Sequence, residues 1–169
     1  GVIREAQPGG ELTLAIDQRI QYMAYRELRA AVAEHQADGG VLVMMDARTG
    51  EVLAMANLPS YNPNNRAGLD PRGLRNQALV DVFEPGSVMK PLAMAAVLES
   101  GIVGRDAVVD TSPGWMRLDQ FTIRDFRNYG ELDLAGILEK SSNIGMSRLA
   151  LQLSDTAIWE KYNQLGLGQ

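Results

Sequence analysis

Apolar positions recur along the chain in short periodic runs, and these runs predict a mixture of helices and strands. Residues 12–16 alternate between apolar and small or polar side chains, which predicts a short strand. Asp17 then suits the N-cap of a helix, because apolar residues at three- and four-residue steps follow it as far as about Gln36.

Two apolar runs, at residues 41–45 and 52–55, flank the sequence DARTGE and predict a β-hairpin with Gly50 in a left-handed turn position. Because both runs are apolar almost throughout, we expect both faces of the hairpin to be covered. Residues 58–77 contain three prolines and four asparagines, and they predict a long irregular loop.

The segment from Ser87 to Glu99 is apolar nearly all round, which predicts a buried helix ended by Gly101. Pro91 cannot donate a helical hydrogen bond, so we expect an irregular first turn. A helix followed by a hairpin and several further helices indicates the α+β class rather than alternating βαβ units. The further helices are predicted at 134–138, after the SSN sequence at 141–143, and at 155–165.

The composition of the chain excludes several classes of partner and of catalytic or metal site. The chain has 169 residues, 46 % of them hydrophobic and 22 % charged, which is typical of one globular domain. A net charge of -5 argues against a nucleic-acid partner, and the absence of cysteine excludes disulfides, thiol catalysis and cysteine zinc sites. The single histidine, His35, lies far from any motif, so we expect no histidine triad, no metal and no cofactor. Arg124, Asp125 and Arg127 are interpreted as a surface salt-bridge group, with substrate contact as the alternative.

The sequence DVFEPGSVMKPLAM places Ser87 three residues before Lys90 at a predicted helix start. Residues three apart share a helix face, so the Lys90 amine can lie beside the Ser87 hydroxyl. Desolvation by the apolar helix would lower the pKa of that amine and let it act as a base toward a serine nucleophile. The Ser87 backbone N–H, at the start of the helix, would stabilise an oxyanion. The alternative is that the two are ordinary polar residues at a helix start.

A second polar sequence, EKSSNIG, lies about fifty residues further on. Ser141 and Asn143, two residues apart, can both point into one cleft if the chain turns between helices. Ser141 would then relay a proton, and Asn143 would bind a substrate amide and orient Lys90. The alternative is that Ser141 or Ser142 only caps the next helix. The combination of the two motifs favours catalysis.

These motifs resemble the S-x-x-K and S-x-N sequences of penicillin-binding proteins and serine β-lactamases. Three longer sequences resemble the transpeptidase domain of class B penicillin-binding proteins, above all the division-specific septal type of Gram-negative bacteria. They are GGVLVMMDARTGEVLAMANLPSYNPNN, RNQALVDVFEPGSVMKP and DFRNYGELDLAGILEKSSNIGMSRLAL.

The resemblance covers essentially the whole chain and implies an incomplete α+β transpeptidase fold of the penicillin-binding-protein and serine β-lactamase type. We expect its helical subdomain and the first strands of its central antiparallel sheet. The third motif of the family, K-T-G or K-S-G, does not occur in the sequence. We therefore interpret residues 12–169 as the first part of the transpeptidase domain. Residues 1–11 resemble a linker from a preceding domain, because GVIREAQPGGELTL is not typical of a natural amino terminus.

The resemblance implies a serine acyltransferase, a D,D-transpeptidase that cross-links peptidoglycan stem peptides in septal cell-wall synthesis. In that family pattern Ser87 attacks the carbonyl of the penultimate D-alanine and Lys90 takes its proton. Ser141 helps to pass a proton to the departing D-alanine, and Asn143 binds the substrate amide and Lys90. The Ser87 backbone N–H is one oxyanion donor, and the second donor is missing from this chain.

The resemblance also implies partners and a location. β-Lactams would acylate Ser87, and the missing remainder of the domain, divisome membrane proteins and a glycosyltransferase would be protein partners. The catalytic domain would lie in the periplasm, held at the inner membrane by an anchor outside this sequence. We expect these residues alone to be catalytically impaired, since one oxyanion donor is worth roughly 10²–10³ in rate.

Two other functions stay open. A serine β-lactamase or β-lactam sensor domain would share the acylation chemistry, and a lactamase would need a carboxylate to activate water, for which Glu131 or Asp133 are candidates. A non-catalytic division scaffold would keep the fold alone. Such a scaffold has no physical need for four polar residues in these positions, namely Ser87, Lys90, Ser141 and Asn143.

Overall fold

The computed structural model of the chain describes residue 7, residues 9–65 and residues 70–168. The chain divides into two compact units, one up to Phe83 and one from Glu84 onward. The interpretation of residues 1–11 as a linker falls largely outside the described residues. Among the helices of the described part, none is both long and apolar enough to cross a membrane.

The first unit packs one helix against a hairpin. Helix α1 (Gln18–Glu34) lies against the antiparallel strands β1 (Gly40–Met45) and β2 (Val52–Leu58). The Asp17 carboxylate accepts two backbone N–H groups of the first turn of α1, which confirms the predicted N-cap. Gly50 has φ of 76°, so the left-handed turn position of the hairpin is also confirmed.

Two expectations for this unit are wrong. Residues 12–16 do not form a strand, because no strand of the described residues lies beside them to pair with, and Leu12 is 82 % exposed. The hairpin is covered unevenly. Strand β2 buries Ala54 and Ala56, but Val43 and Met45 of β1 stay about half exposed, because α1 packs mainly against β2.

The proline- and asparagine-rich segment after β2 is less irregular than the sequence predicts. Its described part contains a 3₁₀ turn, Pro71–Leu74, and a one-turn helix α2 (Gln77–Val80). Asp70 caps the 3₁₀ turn by accepting the Arg72 N–H at 2.9 Å. The short polar side chains therefore satisfy local backbone groups.

The second unit is built around four helices, α3 (Lys90–Ser100), α4 (Leu134–Glu139), α5 (Asn143–Ala150) and α6 (Ala157–Gln164). Helix α3 ends at Gly101, whose φ of 69° confirms the predicted left-handed stop. Its apolar side chains contribute to the core as predicted. The core cluster consists of Ala93, Met94, Val97, Leu134, Ile137, Met146 and Leu149.

Two short antiparallel strand pairs complete this unit. Strand β3 (Val108–Asp110) pairs with β6 (Glu131–Asp133), and β4 (Trp115–Leu118) pairs with β5 (Phe121–Arg124). Gly114, just before β4, has φ of 93°, and a Cβ there would lie 2.9 Å from a backbone nitrogen of the next segment. The close approach requires glycine and fixes the base of the β4–β5 hairpin.

The start of α3 differs from the expectation. Ser87 lies in a 3₁₀ turn, Gly86–Met89, and the α-helix begins only at Lys90. The Lys90 N–H donates to the Ser87 carbonyl three residues back. Pro91 has no N–H to make the α-helical bond to that carbonyl, which explains the tighter turn and confirms the expected irregularity.

Candidate active site

The 3₁₀ turn and the first turn of α3 bring Ser87 and Lys90 together. The Lys90 Nζ lies 3.1 Å from the Ser87 Oγ, within hydrogen-bond distance. The expectation that the two side chains share one face is therefore confirmed. The backbone N–H of Ser87 belongs to the second residue of the short turn, where a helix has no internal acceptor for it.

The turn between α4 and α5 supplies the opposite side of the site. The Ser141 N–H donates to the Leu138 carbonyl at 3.1 Å, and the Ser142 N–H to the Ile137 carbonyl at 2.9 Å. This pair of bonds is a Schellman motif, in which the residue at the position of Ser141 is left-handed and usually glycine. Ser141 has φ of 53°, a conformation that costs an L-residue about 1–2 kcal/mol.

Three oxygens from this turn meet the Lys90 amine. Its Nζ lies 2.6 Å from the Ser141 carbonyl oxygen, 2.9 Å from the Ser141 Oγ and 2.7 Å from the Asn143 Oδ1. The structure thus brings all four predicted site residues, Ser87, Lys90, Ser141 and Asn143, within hydrogen-bond distance around one amine.

The kinds of acceptor matter for the neutral form of the Lys90 amine. An ammonium has three N–H donors, whereas a neutral amine has two and a lone pair. The Ser141 carbonyl and the Asn143 Oδ1 can only accept, and they lie nearest. When two N–H groups serve these oxygens, the lone pair of the neutral amine is left to face a hydroxyl, that of Ser87 or Ser141. Lys90 is then placed to take a proton from an alcohol.

Burial lowers the pKa of Lys90, because the charged ammonium loses water in this half-buried position. The negative charge of Asp125 acts in the opposite direction and raises that pKa. The lowered pKa increases the fraction of neutral amine at a given pH, as the sequence analysis expected.

The sequence analysis named Asp125 only as a surface ion-pair or substrate-contact residue, and it missed the role of this side chain in the site. Asp125 follows β5, and its carboxylate accepts hydrogen bonds from the Ser142 Oγ at 2.6 Å, the Asn143 N–H at 2.6 Å and the Ile144 N–H at 3.0 Å. The interpretation of this cluster as surface salt bridges is wrong, since none of its members forms an ion pair in the described residues. Arg127 instead stacks over the Tyr129 ring at 5.4 Å.

The capping alternative holds for one serine and not for the other. The Ser142 Oγ accepts the Gly145 N–H at 2.9 Å and caps α5, whereas the Ser141 side chain faces Lys90.

No cluster of metal-ligating side chains was found in the described residues.

The sequence matches a family described as the penicillin binding protein transpeptidase domain over residues 40–169. The chain belongs to this penicillin-binding-protein transpeptidase family. The resemblance stated from the motifs is therefore confirmed.

Curated relatives of this transpeptidase family are similar over nearly the whole chain. The peptidoglycan D,D-transpeptidase FtsI of Escherichia coli is 46 % identical over 98 % of this chain and 28 % of its own length. The probable D,D-transpeptidase PbpC of Pseudomonas aeruginosa is 44 % identical over 99 % of this chain and 30 % of its own length. The chain thus spans less than a third of the length of these relatives.

Solved structures agree with the transpeptidase fold. A peptidoglycan glycosyltransferase from Burkholderia ambifaria matches with a TM-score of 0.80 and 40 % identity, over 93 % of this chain and 46 % of that one. The transpeptidase domain of penicillin-binding protein 3 from Burkholderia pseudomallei matches with a TM-score of 0.79 and 37 % identity, over 96 % and 45 %. The predicted α+β class and partial transpeptidase fold are confirmed.

Proposed function

We propose that this chain supplies the nucleophile-bearing part of a serine D,D-transpeptidase site that cross-links peptidoglycan stem peptides during septal cell-wall synthesis. The observation that carries the proposal is the convergence of Ser87, Ser141 and Asn143 on the Lys90 amine at 2.6–3.1 Å. Relatives named peptidoglycan D,D-transpeptidases in Escherichia coli and Neisseria gonorrhoeae support the reaction class.

The first half of the reaction acylates the enzyme. The Ser87 Oγ attacks the carbonyl carbon of the penultimate D-alanine, and its proton moves to the neutral Lys90 amine. The Ser87 N–H donates to the resulting oxyanion, with a second donor from outside these residues. As the C–N bond breaks, the Ser141 hydroxyl passes a proton from Lys90 to the leaving D-alanine nitrogen. Asn143 keeps Lys90 in place and binds the substrate amide.

The second half transfers the acyl group. An amine of a neighbouring stem peptide attacks the ester carbonyl on Ser87 and gives up a proton toward Lys90. The new amide bond forms as the bond to the Ser87 Oγ breaks, and the hydroxyl regains its proton. A β-lactam would follow the first half only and leave its opened ring on Ser87.

The carboxylates considered for a β-lactamase do not support water activation at this amine. The Asp133 Oδ1 accepts the Gly136 N–H at 2.6 Å and caps α4. Glu131 lies in β6, which pairs with β3. Within the described residues neither side chain is a hydrogen-bond partner of Lys90, so neither is placed to act together with this amine.

We also propose the partners and location that the family membership suggests. The substrate is cell-wall peptide, so the catalytic domain of the whole protein faces the periplasm, with a membrane anchor outside residues 12–169. A further segment with K-T-G or K-S-G completes the domain and supplies the second oxyanion donor. Divisome membrane proteins and a glycosyltransferase are the proposed protein partners, and β-lactams are covalent inhibitors.

The test is labelling of the full-length protein with a fluorescent penicillin, followed by peptide mapping. We expect one equivalent of label on Ser87 and no label in Ser87→Ala. The matched control is Ser154→Ala, at an exposed serine of the same unit, which should label like the wild type. Continuous turnover of nitrocefin would indicate a β-lactamase instead, and absence of label from the folded wild type would contradict the proposal.

A further inference from the structure

Asp125 holds the turn that faces Lys90 at three points. One carboxylate oxygen accepts the Asn143 and Ile144 N–H groups, and the other accepts the Ser142 hydroxyl. These two N–H groups are at the start of α5, where the helix has no internal acceptor for them. The Ser142 side chain, fully buried, also accepts the Gly145 N–H, so the carboxylate is linked to the first turn of α5 at both of its oxygens.

The same end of the β4–β5 hairpin also fixes the orientation of Asn143. The Asn143 Nδ2 donates to the Arg124 carbonyl at 2.8 Å, which turns its Oδ1 toward Lys90 at 2.7 Å. The Asp125 N–H donates to the Gly114 carbonyl at 3.1 Å, so the backbone of the hairpin end is itself anchored. The hairpin therefore determines where the acceptors of Lys90 lie, although Asp125 shares no hydrogen bond with Lys90.

We propose that Asp125 is a positioning residue for acyl transfer, which holds the 141–144 turn so that Ser141 and Asn143 present their oxygens to Lys90. The inference rests on the proposed function, because it assigns a role in that same site. Its physical basis is geometric. Movement of the turn by about 1 Å would misplace the acceptors of Lys90, and such misplacement can cost on the order of 10²-fold in rate.

Two substitutions separate geometry from charge. Asp125→Asn keeps the shape of the side chain. Its Oδ1 can accept both N–H groups of Asn143 and Ile144, and its NH₂ can donate to the free lone pair of the Ser142 Oγ. The bond to Ser142 is thereby reversed, and the Ser142 hydroxyl has to turn its own hydrogen away from position 125. Asp125→Glu keeps the charge but moves the carboxylate outward by one methylene. The same pair at Asp110, an exposed aspartate that accepts the Ser112 N–H at 2.8 Å, gives the matched controls.

The experiment measures the acylation rate of Ser87 by fluorescent penicillin in the full-length protein, as a function of pH, with thermal melting of each variant. We expect Asp125→Asn to keep the plateau rate within about threefold, and Asp125→Glu to lose about tenfold or more. The Asp125 charge raises the pKa of Lys90, so the rise of rate with pH should move to lower pH in Asp125→Asn. This shift reports the charge of Asp125 alone, whereas a loss of plateau rate in Asp125→Glu without a matching loss of melting temperature reports its positioning role.

The opposite ranking, with Asp125→Asn slower than Asp125→Glu, would overturn the proposal in favour of a purely electrostatic role. Equal rates in both variants and the wild type would overturn it as well, and so would equal losses in the Asp110 controls. Absence of label from the folded wild type would contradict the proposed function itself and with it this inference. A labelled wild type with unaffected Asp125 variants would contradict the inference alone.

Discussion

Replacing Ser141 by glycine and by alanine separates the strain of its backbone from the chemistry of its hydroxyl. Ser141 is left-handed, with φ of 53°, at the Schellman position between α4 and α5. Both substitutions remove the Oγ that lies 2.9 Å from the Lys90 Nζ. They differ only in whether the residue has a Cβ in a conformation that disfavours one.

The expected difference in stability follows from two opposing contributions. The left-handed conformation costs alanine about 1–2 kcal/mol, a cost that glycine avoids. Glycine in turn destabilises the protein by about 0.4–1 kcal/mol relative to alanine, because it makes the unfolded chain more flexible. Ser141→Gly should therefore be more stable than Ser141→Ala by about 0.5–1 kcal/mol. Neither variant can be compared as simply with the wild type, which also has the hydrogen bond from Lys90.

The assay combines urea unfolding with penicillin labelling in the full-length protein. Ser141→Gly should have the higher unfolding midpoint of the two, while both variants acylate Ser87 more slowly by a similar factor, on the order of 10² or more. The reasoning would be refuted by an alanine variant as stable as the glycine variant. It would also be refuted by a glycine variant that acylates at the wild-type rate, because the hydroxyl would then have no part in the reaction.

Two further predictions concern the amine and the packing beneath it. The acylation rate should rise with pH and level off above the pKa of Lys90. The midpoint of this rise should lie below 10.5, because burial lowers the pKa of Lys90. A rate that stays flat between about pH 6 and 10 would contradict this prediction. Gly145→Ala should destabilise the protein by about 1 kcal/mol or more in thermal or urea unfolding, despite the better helix propensity of alanine. The reason is that its Cβ would lie 2.7 Å from the Cγ1 of the fully buried Ile137. Gly104→Ala, with no atom within 4 Å of the added Cβ, is the control and should change stability by less than about 0.5 kcal/mol.

The part of the site made by local sequence could be predicted. The spacing of Ser87 and Lys90 on one helical face and the turn chemistry of residues 141–143 follow from short-range geometry. The irregular first turn could also be predicted from Pro91, because the absence of an N–H in proline has a local effect on the helix. The predicted start of α3 was one turn too early, because the Lys90 N–H donates to the Ser87 carbonyl three residues back and makes the turn before Lys90 a 3₁₀ turn.

The parts that depend on distant neighbours could not be predicted. Asp125 lies 17 to 19 residues before the groups it binds, and no periodic pattern connects an aspartate after a short strand to a later helix start. A charged residue between two arginines predicts ion pairs, but unpaired N–H groups at the start of α5 take the carboxylate instead. Likewise, the alternation at residues 12–16 has the period of a strand, yet a strand needs a partner that the described residues do not provide.

The turn that carries Ser141 and Asn143 is bordered on both sides by isoleucines that are completely buried, Ile137 and Ile144. On one side of the turn the Ile137 carbonyl accepts the Ser142 N–H, and on the other side the Ile144 N–H donates to the Asp125 carboxylate. Each of these two residues therefore combines a buried side chain with a backbone hydrogen bond that holds the turn. The acceptors of Lys90 are consequently preorganised: they take their places as the protein folds rather than when a ligand arrives. Substitutions of the buried isoleucines that border this turn should therefore change the reactivity of Ser87 as well as the stability of the protein.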